Sequence, residues 1–474
     1  MIENPSPLTA ILAKPLTIKQ LETVNPEKNK HDEFLRHIQR LYKGGRHLVG
    51  HEKDILVPRS GETAQEFSRR LSLFDYVNVL GGAINELVSK FSWGDISLHG
   101  DSLFADSYIR FHESLSPKQW LPSVLREALK VQTVYAVVEP ILVSGSVARA
   151  ALVESLQKFQ PSITTYYPYN VMLEGDGWIK FQSHREIMEV LGTTYTEVKV
   201  RYIDNQNYYT YVYHVNKQKQ YRLPGRTAWT SNPAEISIAP TVWPVLAGKY
   251  PVFKFKLPDE KYVANQVYLQ QHSHTRLYNA AIDAGAATGQ VYRWITPLKE
   301  SSTSALPTAL QEDVKLGNTT VVEAEKLGIV ETSGSAIRVL LEQLHDIEKS
   351  IKATVALSGI SYNDTAMKQS GVSKAFDNIN LESSLREFGM LICSFYQDII
   401  NYYAVLLGDA AGMSVEGYSD FNLDSVDSAL DVLERVSAIA DINPAVKDSL
   451  KAKAESLLAP NSKLNATAPE NTKE

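Results

Sequence analysis

The chain is 474 residues long, 44% hydrophobic and 22% charged, with a formal net charge of −6. That length and composition give ample core for more than one globular domain, and the mild negative charge argues against a surface that grips nucleic acid everywhere. A single cysteine, Cys393, excludes an internal disulfide and fits a reducing compartment.

In chain order, residues 1–50 read as an irregular arm with a short helix, Asp32 to Tyr42, ended by Lys43-Gly44-Gly45-Arg46. The start, with Glu3 and two early prolines, does not read as a secretory signal. Glu62 to Phe91 has helical periodicity through Phe67, Leu71, Phe74, Val77, Leu80, Ile84, Leu87 and Val88. Gly81-Gly82 predicts a kink or break within it. Pro117 to Val131 reads as a helix with Trp120, Val124 and Leu125 inward, and Val134 to Glu139 as a buried strand.

From Tyr166 to Tyr221 the period changes to alternation, and ten of the 24 tyrosines fall here. Tyrosine suits pleated, half-buried surfaces. Turn signals at Gly175-Asp176-Gly177 and Asp204-Asn205-Gln206-Asn207 connect strands such as Glu197 to Ile203 and Tyr208 to Val215. The expectation is a small antiparallel sheet, with a helix at Glu186 to Leu191 inside it. Pro251 to Phe255 closes the β part.

Pro258 to Asp283 then reads as a long helix with proline at its first turn and Gly285 at its end. At 1.5 Å per residue it reaches about 40 Å. A small α/β insert follows, Gly285 to Ala336. It holds strand candidates at Gln290–Ile295, Asn318–Glu323 and Gly328–Glu331 and a Ser/Thr/Pro-rich stretch, Pro297 to Thr308. The next long helix, Ile337 to Leu357, puts Ile337, Leu340, Leu341, Leu344, Ile347, Ile351 and Val355 on one face. Arg338, Glu342, His345, Glu348, Lys349 and Lys352 occupy the other. A polar loop, Ser358 to Val372, joins it to a further helix from Ser373, which ends at Gly408.

No apolar run has the length of a membrane span. Met390 to Leu407 comes nearest, interrupted by Gln397, Asp398 and Asn401. Leu423–Asp441 and Asn443–Leu458 read as short helices, and Pro460 to Glu474 as a disordered tail. Ten acidic residues against four basic ones between Asp409 and Glu455 account for −6 by themselves; a solvated helical face explains that simply.

The chain has no glycine-rich phosphate loop, no His-Glu-x-x-His and no Gly-x-Ser-x-Gly. His272 and His274 lie two apart on a helix, point to different faces and make a poor metal pair. No metal or cofactor is expected. Ser155-Leu156-Gln157-Lys158 matches Ser-x-x-Lys without its companion motifs. Glu174 and Asp176 flank a hairpin beside Trp178 and keep open a carbohydrate-active or cell-wall hydrolase. Nothing near them in sequence supplies the burial that would separate their pKa values. The weight moves to a non-enzymatic, structural role.

The order of elements resembles that of portal proteins, the head–tail connectors of tailed bacteriophages. Leu357-Ser358-Gly359 resembles the portal pattern of a helix ending in Leu-Ser-Gly. Gln369-Ser370-Gly371-Val372-Ser373-Lys374 and Leu381-Glu382-Ser383-Ser384-Leu385 resemble the segment leading into the kinked wing helix. Arg69 to Ser92, with Arg70, Tyr76 and Asn78, resembles an early helix of some portals. The resemblance implies an α+β fold and a homo-oligomeric ring, usually of about twelve subunits, around a channel for double-stranded DNA. It implies an N-terminal arm (1–50), a wing (51–257 and 373–408), stem helices (258–284 and 337–357), a clip (285–336), a tunnel loop (358–372), a crown (409–459) and a tail (460–474). Tyr362, Asn363, Asp364, Thr365, Met367, Lys368 and Gln369 would face DNA, with Lys349 and Lys352 as lumen candidates on the stem. Implied partners are terminase, then a head–tail adaptor, and the major capsid and scaffolding proteins, with no membrane. The implied place is a capsid vertex of the virion, after assembly in the host cytoplasm. Another virion protein, such as an adaptor, is the remaining alternative.

Overall fold

A computed structural model describes residues 12, 14–24, 28–91, 95–139, 162–188, 194–226, 228–245, 248–288, 292–296, 326–330, 335–355, 371–418 and 421. The N-terminal half begins with β1 (Leu16–Thr17), α1 (Ile18–Leu21), α2 (Lys28–Lys43), α3 (Ala64–Ser72), α4 (Val79–Phe91), β2 (Ile96–His99), α5 (Ala105–Leu115) and α6 (Pro117–Val131). Strands follow: β3 (Thr133–Glu139), β4 (Ser162–Tyr166), β5 (Val171–Gly175), β6 (Trp178–Met188), β7 (Thr194–Asp204), β8 (Asn207–Asn216), β9 (Tyr221–Arg222), β10 (Ser237–Ile238), β11 (Thr241–Pro244) and β12 (Val252–Lys256). The rest is α7 (Val263–Thr288), β13 (Tyr292–Thr296), β14 (Lys326–Val330), α8 (Ser335–Thr354), α9 (Gly371–Leu407) and β15 (Ser414–Gly417). The class is α+β, as expected.

The tyrosine-rich segment forms an antiparallel sheet in the order β11-β8-β7-β6-β5, with β9 beside β8. Alternation sends Tyr209, Tyr211 and Tyr213 to one face, where the arm residues Leu12, Leu16, Ile18 and Leu21 cover them. Tyr208, Ile179, Phe181 and Ile203 point the other way, toward Tyr135 and Val137 of β3. The arm is also tied by polar groups. Tyr211 donates to the Leu12 carbonyl at 2.7 Å, and Lys180 Nζ, fully buried, donates to the Thr23 carbonyl at 3.0 Å. Burial pushes the Lys180 ammonium down to about 8.

A second sheet, β12-β3-β4, backs onto the helices. The largest core joins α4, α6 and α9 to it through Leu80, Leu87, Leu125, Val134, Phe255, Ile392, Tyr396 and Ile399. Within α9, Glu382–Leu407 is long and apolar enough to cross a membrane by length and composition, and 56% of its most apolar window is buried inside the protein. Gly389 lets this helix approach the chain at Tyr418: a Cβ there would lie 2.3 Å from the Tyr418 carbonyl oxygen. Gly408, at φ 72°, ends the helix as expected.

Several expectations need correction. The helical stretch from Glu62 to Phe91 is two helices, and its break falls at residues 73–78, ahead of the glycines. Asn78 folds its side chain over the start of α4, accepting from Gly81 N at 2.8 Å, and a Cβ on Gly81 would meet that amide at 2.5 Å. Gly81 accommodates a cap rather than a kink, while a Cβ on Gly82 would meet nothing within 4 Å. Glu186 to Met188 is strand, not helix: β6 continues through it, with Glu186 opposite Thr196. The long hairpin ladder overrides a short helical signal. Helix α5 was not foreseen. A 3₁₀ turn, Asp259–Lys261, precedes α7, which then runs past Gly285 to Thr288. Of the insert's strands, β13 pairs antiparallel with β14, which begins at Lys326 rather than Gly328. Of the expected loop 358–372, residues 371 and 372 already belong to α9; the rest of it, the candidate at 318–323, the helices at 423–458 and the tail lie outside the described residues.

Candidate functional site

The long helices α7 and α8 are 26 and 20 residues, or about 39 and 30 Å. They run side by side in opposite directions. At one end Val263 and Val267 share a core with Ile351 and Val355. At the other, the β13–β14 ladder lies between the end of α7 and the start of α8 in the chain. Between these ends, His274 Nε2 is 3.1 Å from Glu348 Oε1, and the His274 ring stacks parallel to Tyr278.

The predicted stripe of α8 is only partly buried. Leu344, Ile351 and Val355 are inside, whereas Leu341 is 54% exposed. Val339 at 51% and Leu269 of α7 at 61% are exposed as well. The half of α8 nearest the insert thus extends beyond the core, with apolar side chains in the open.

A polar stripe on α7 fixes the pair to the rest of the chain. Gln271, Thr275 and Asn279 are spaced four apart and buried. Gln271 Oε1 accepts from Leu80 N at 2.9 Å, and its Nε2 donates to the Val77 carbonyl at 2.9 Å. Asn279 repeats the pattern at Asp75, accepting from its N at 3.1 Å and donating to its carbonyl at 2.8 Å. Arg276 Nε donates to the Ile55 carbonyl at 2.7 Å, and Arg59 pairs with Asp283 at 2.8 Å. The break between α3 and α4 leaves backbone groups without helical partners, and these amides satisfy them. Sequence reasoning missed this grip, because Gln and Asn at helical spacing read equally well as a solvent face.

The tunnel-loop candidates Tyr362, Asn363, Asp364, Thr365, Met367, Lys368 and Gln369 lie outside the described residues, as do Ser155 and Lys158. Lys349 and Lys352 sit three apart on α8 and are half-buried, so they share one side of it. Of the acidic C-terminal segment, Asp409 and Glu416 are described. Asp409 accepts from Ser102, Tyr108 and the backbone of Ala411 and Gly412. Those bonds, the Ser102 hydroxyl foremost, hold its carboxyl below the usual range.

Glu174 and Asp176 have different surroundings. Glu174 accepts from Tyr135 OH at 3.0 Å and from Lys254 Nζ at 2.9 Å, while Asp176 is exposed on the turn. Glu174 borders a half-open cleft of about 350 Å³ between α2, β3 and β5. Its other carboxylate, Asp32, is paired with Lys28 at 3.2 Å. Cys393 is half-buried and donates to the Gly417 carbonyl; burial pushes its thiol up to about 11, which makes it packing rather than a nucleophile. His272 and His274 face different neighbours, as expected: His274 meets Glu348, and His272 meets His37. Among the described residues no cluster of three or more His, Cys, Asp or Glu could hold a metal ion.

No family model matches the chain, and no curated protein matches it. Among solved structures it is similar to a chain in the virion of a native gene transfer agent particle, with TM-score 0.39 and 11% identity, covering 79% of this chain and 90% of that one. It is also similar to a chain in the neck of an empty gene transfer agent particle computed with C6 symmetry, with TM-score 0.37 and 10% identity, covering 78% and 90%. Likeness of that degree fixes neither fold nor role.

Proposed function

We propose that this chain is a structural, non-enzymatic subunit of a phage-like virion. Several copies form a ring around a DNA channel and act as a portal at one capsid vertex during genome packaging, retention and ejection. The observation that supports it most is the pair α7 and α8. Two long antiparallel helices bracket a small β-containing insert, carry exposed Leu269, Val339 and Leu341, and lead into the polar stretch 358–372. Exposed apolar residues along paired rods are what head-to-tail contacts between copies need, and such contacts form rings where the rotation between copies closes.

In this reading α7 and α8 are the stem and residues 285–336 the clip that docks terminase and then the adaptor. Residues 51–257 and 373–408 form the wing and 409–459 the crown. A conducting channel must let a polyanion slide and so must not grip phosphates. The loop candidates carry one Asp364 and one Lys368, which cancel. Lys349 and Lys352 would add a modest ring of phosphate contacts on the stem.

Mass photometry and negative-stain imaging of the purified full chain test this: a closed ring of about twelve copies is expected. A folded protein that stays monomeric at every salt and protein concentration refutes it. Deleting Tyr362 to Gln369 should leave rings intact and impair DNA packaging or retention. If both stay at wild-type level, the loop has no channel role.

A further inference from the structure

Helix α2 meets α7 through two imidazoles that are 235 residues apart in the chain. His37 Nε2 and His272 Nε2 are separated by 2.6 Å, with ring centroids 4.8 Å apart and planes at 69°. Two ring nitrogens this close share a hydrogen bond, which needs one N–H and one lone pair. The distance therefore assigns a neutral ring to at least one partner. When both rings are imidazolium, both Nε2 atoms carry hydrogen and the contact turns repulsive.

The charged neighbours reinforce that preference. Arg40 on α2 and Arg276 on α7 oppose added positive charge at His37 and His272 respectively. Beyond α2, His51 and Asp54, the latter in the 3₁₀ turn Glu52–Asp54, also act on His37. Asp54 is the carboxylate acting on both rings, and it is shared with His51 at 3.2 Å and Arg40 at 3.7 Å. Tyr268 of α7 presents its ring edge-on to His272 at 6.1 Å. Burial is the largest cause holding both imidazoles below the ordinary value, and it brings His272 down to about 4.

We propose that His37 and His272 form a proton-sensitive latch, which holds α2 onto α7 at neutral pH and releases that contact on acidification. The inference stands independently of the ring reading. A depressed native pKa contributes stability that is complete above the free value of 6.5 and is lost as pH falls toward about 4. Taken in full, linkage over that interval shifts the opening equilibrium roughly 30-fold by pH 5. Solvent screening of a half-buried pair reduces this to about 5–10-fold. Ile38, Tyr262 and Ala264 still pack together, and Phe34 still meets Tyr268 edge-on. Release therefore loosens the helix contact without unfolding α2.

The test uses the full-length protein in two measurements. Histidine C2-hydrogen exchange by mass spectrometry reads each imidazole's midpoint; His272 should titrate clearly below 6.5. Backbone hydrogen exchange, corrected for intrinsic rates, should show protection of residues 28–43 falling about 5–10-fold more between pH 7.5 and 5 than in His37→Gln/His272→Gln or His272→Phe. A His272 midpoint at or above 6.5 overturns the latch, and so does an equal pH response in wild type and variants. If the variants fail to fold, the wild-type midpoint decides alone.

Discussion

Replacing Gln271 by methionine isolates the grip of α7 on the α3–α4 break. The two side chains are close in volume, so packing is largely kept while the bonds to Leu80 N, the Val77 carbonyl and Thr275 Oγ1 all go. Leu80 N would be left buried without a partner, which costs about 1–3 kcal/mol. The Val77 carbonyl keeps its bond from Val79 N at 3.1 Å, so its loss is about 0.5–1 kcal/mol. Loss of the amide's own desolvation offsets some of this, so the net is about 2 kcal/mol. The urea slope grows with the surface exposed on unfolding, so at about 4 kcal/mol/M for a chain of this length the midpoint should fall by about 0.5 M. Amide exchange should also show residues 73–80 losing protection before the sheet does. Asn265→Ala, on the exposed side of the same helix, is the control and should stay within about 0.5 kcal/mol. A Gln271→Met midpoint indistinguishable from that control would mean the amide does not anchor the helix.

Gly389→Ala tests the close approach of α9 to Tyr418. Alanine favours helix by about 1 kcal/mol, yet its Cβ would sit 2.3 Å from a backbone oxygen. The expected net is a loss of about 1–3 kcal/mol and a lower Tm by calorimetry; a raised Tm would show that the segment at Tyr418 yields freely. Leu341→Asp should leave the protomer's circular dichroism and melting nearly unchanged, within about 0.5 kcal/mol, since the side chain is 54% exposed. Mass photometry should show the assembly shifted to smaller species, and undiminished rings would remove Leu341 from any subunit contact.

The elements that sequence reasoning found are those whose signal is local. The interval Pro117–Val131 matches α6 because proline, periodicity and the following β-branched run all fall within it. The hairpin of β7 and β8 is announced by Asp204-Asn205-Gln206-Asn207, whose Asp204 carboxylate does accept from the N–H groups of Gln206 and Asn207. Glu186 to Leu191 misled because a six-residue window cannot reveal that Glu186 has Thr196 waiting opposite it. The same limit hid the break at residues 73–78. Its position is set by where Gln271 and Asn279 can reach backbone groups some 200 residues earlier in the chain.

The candidate site divides along the same line. Lys349, Lys352 and the α8 stripe were legible as a pattern, but the pattern alone could not say that Leu341 would be left outside while Leu344 and Ile351 went in. A helix longer than its own domain can cover keeps the periodicity of a buried face over its whole length. The exposed apolar turn of α8 is where that stripe continues without cover from the described residues. In the proposed ring a second copy supplies that cover, and Leu341→Asp removes it directly.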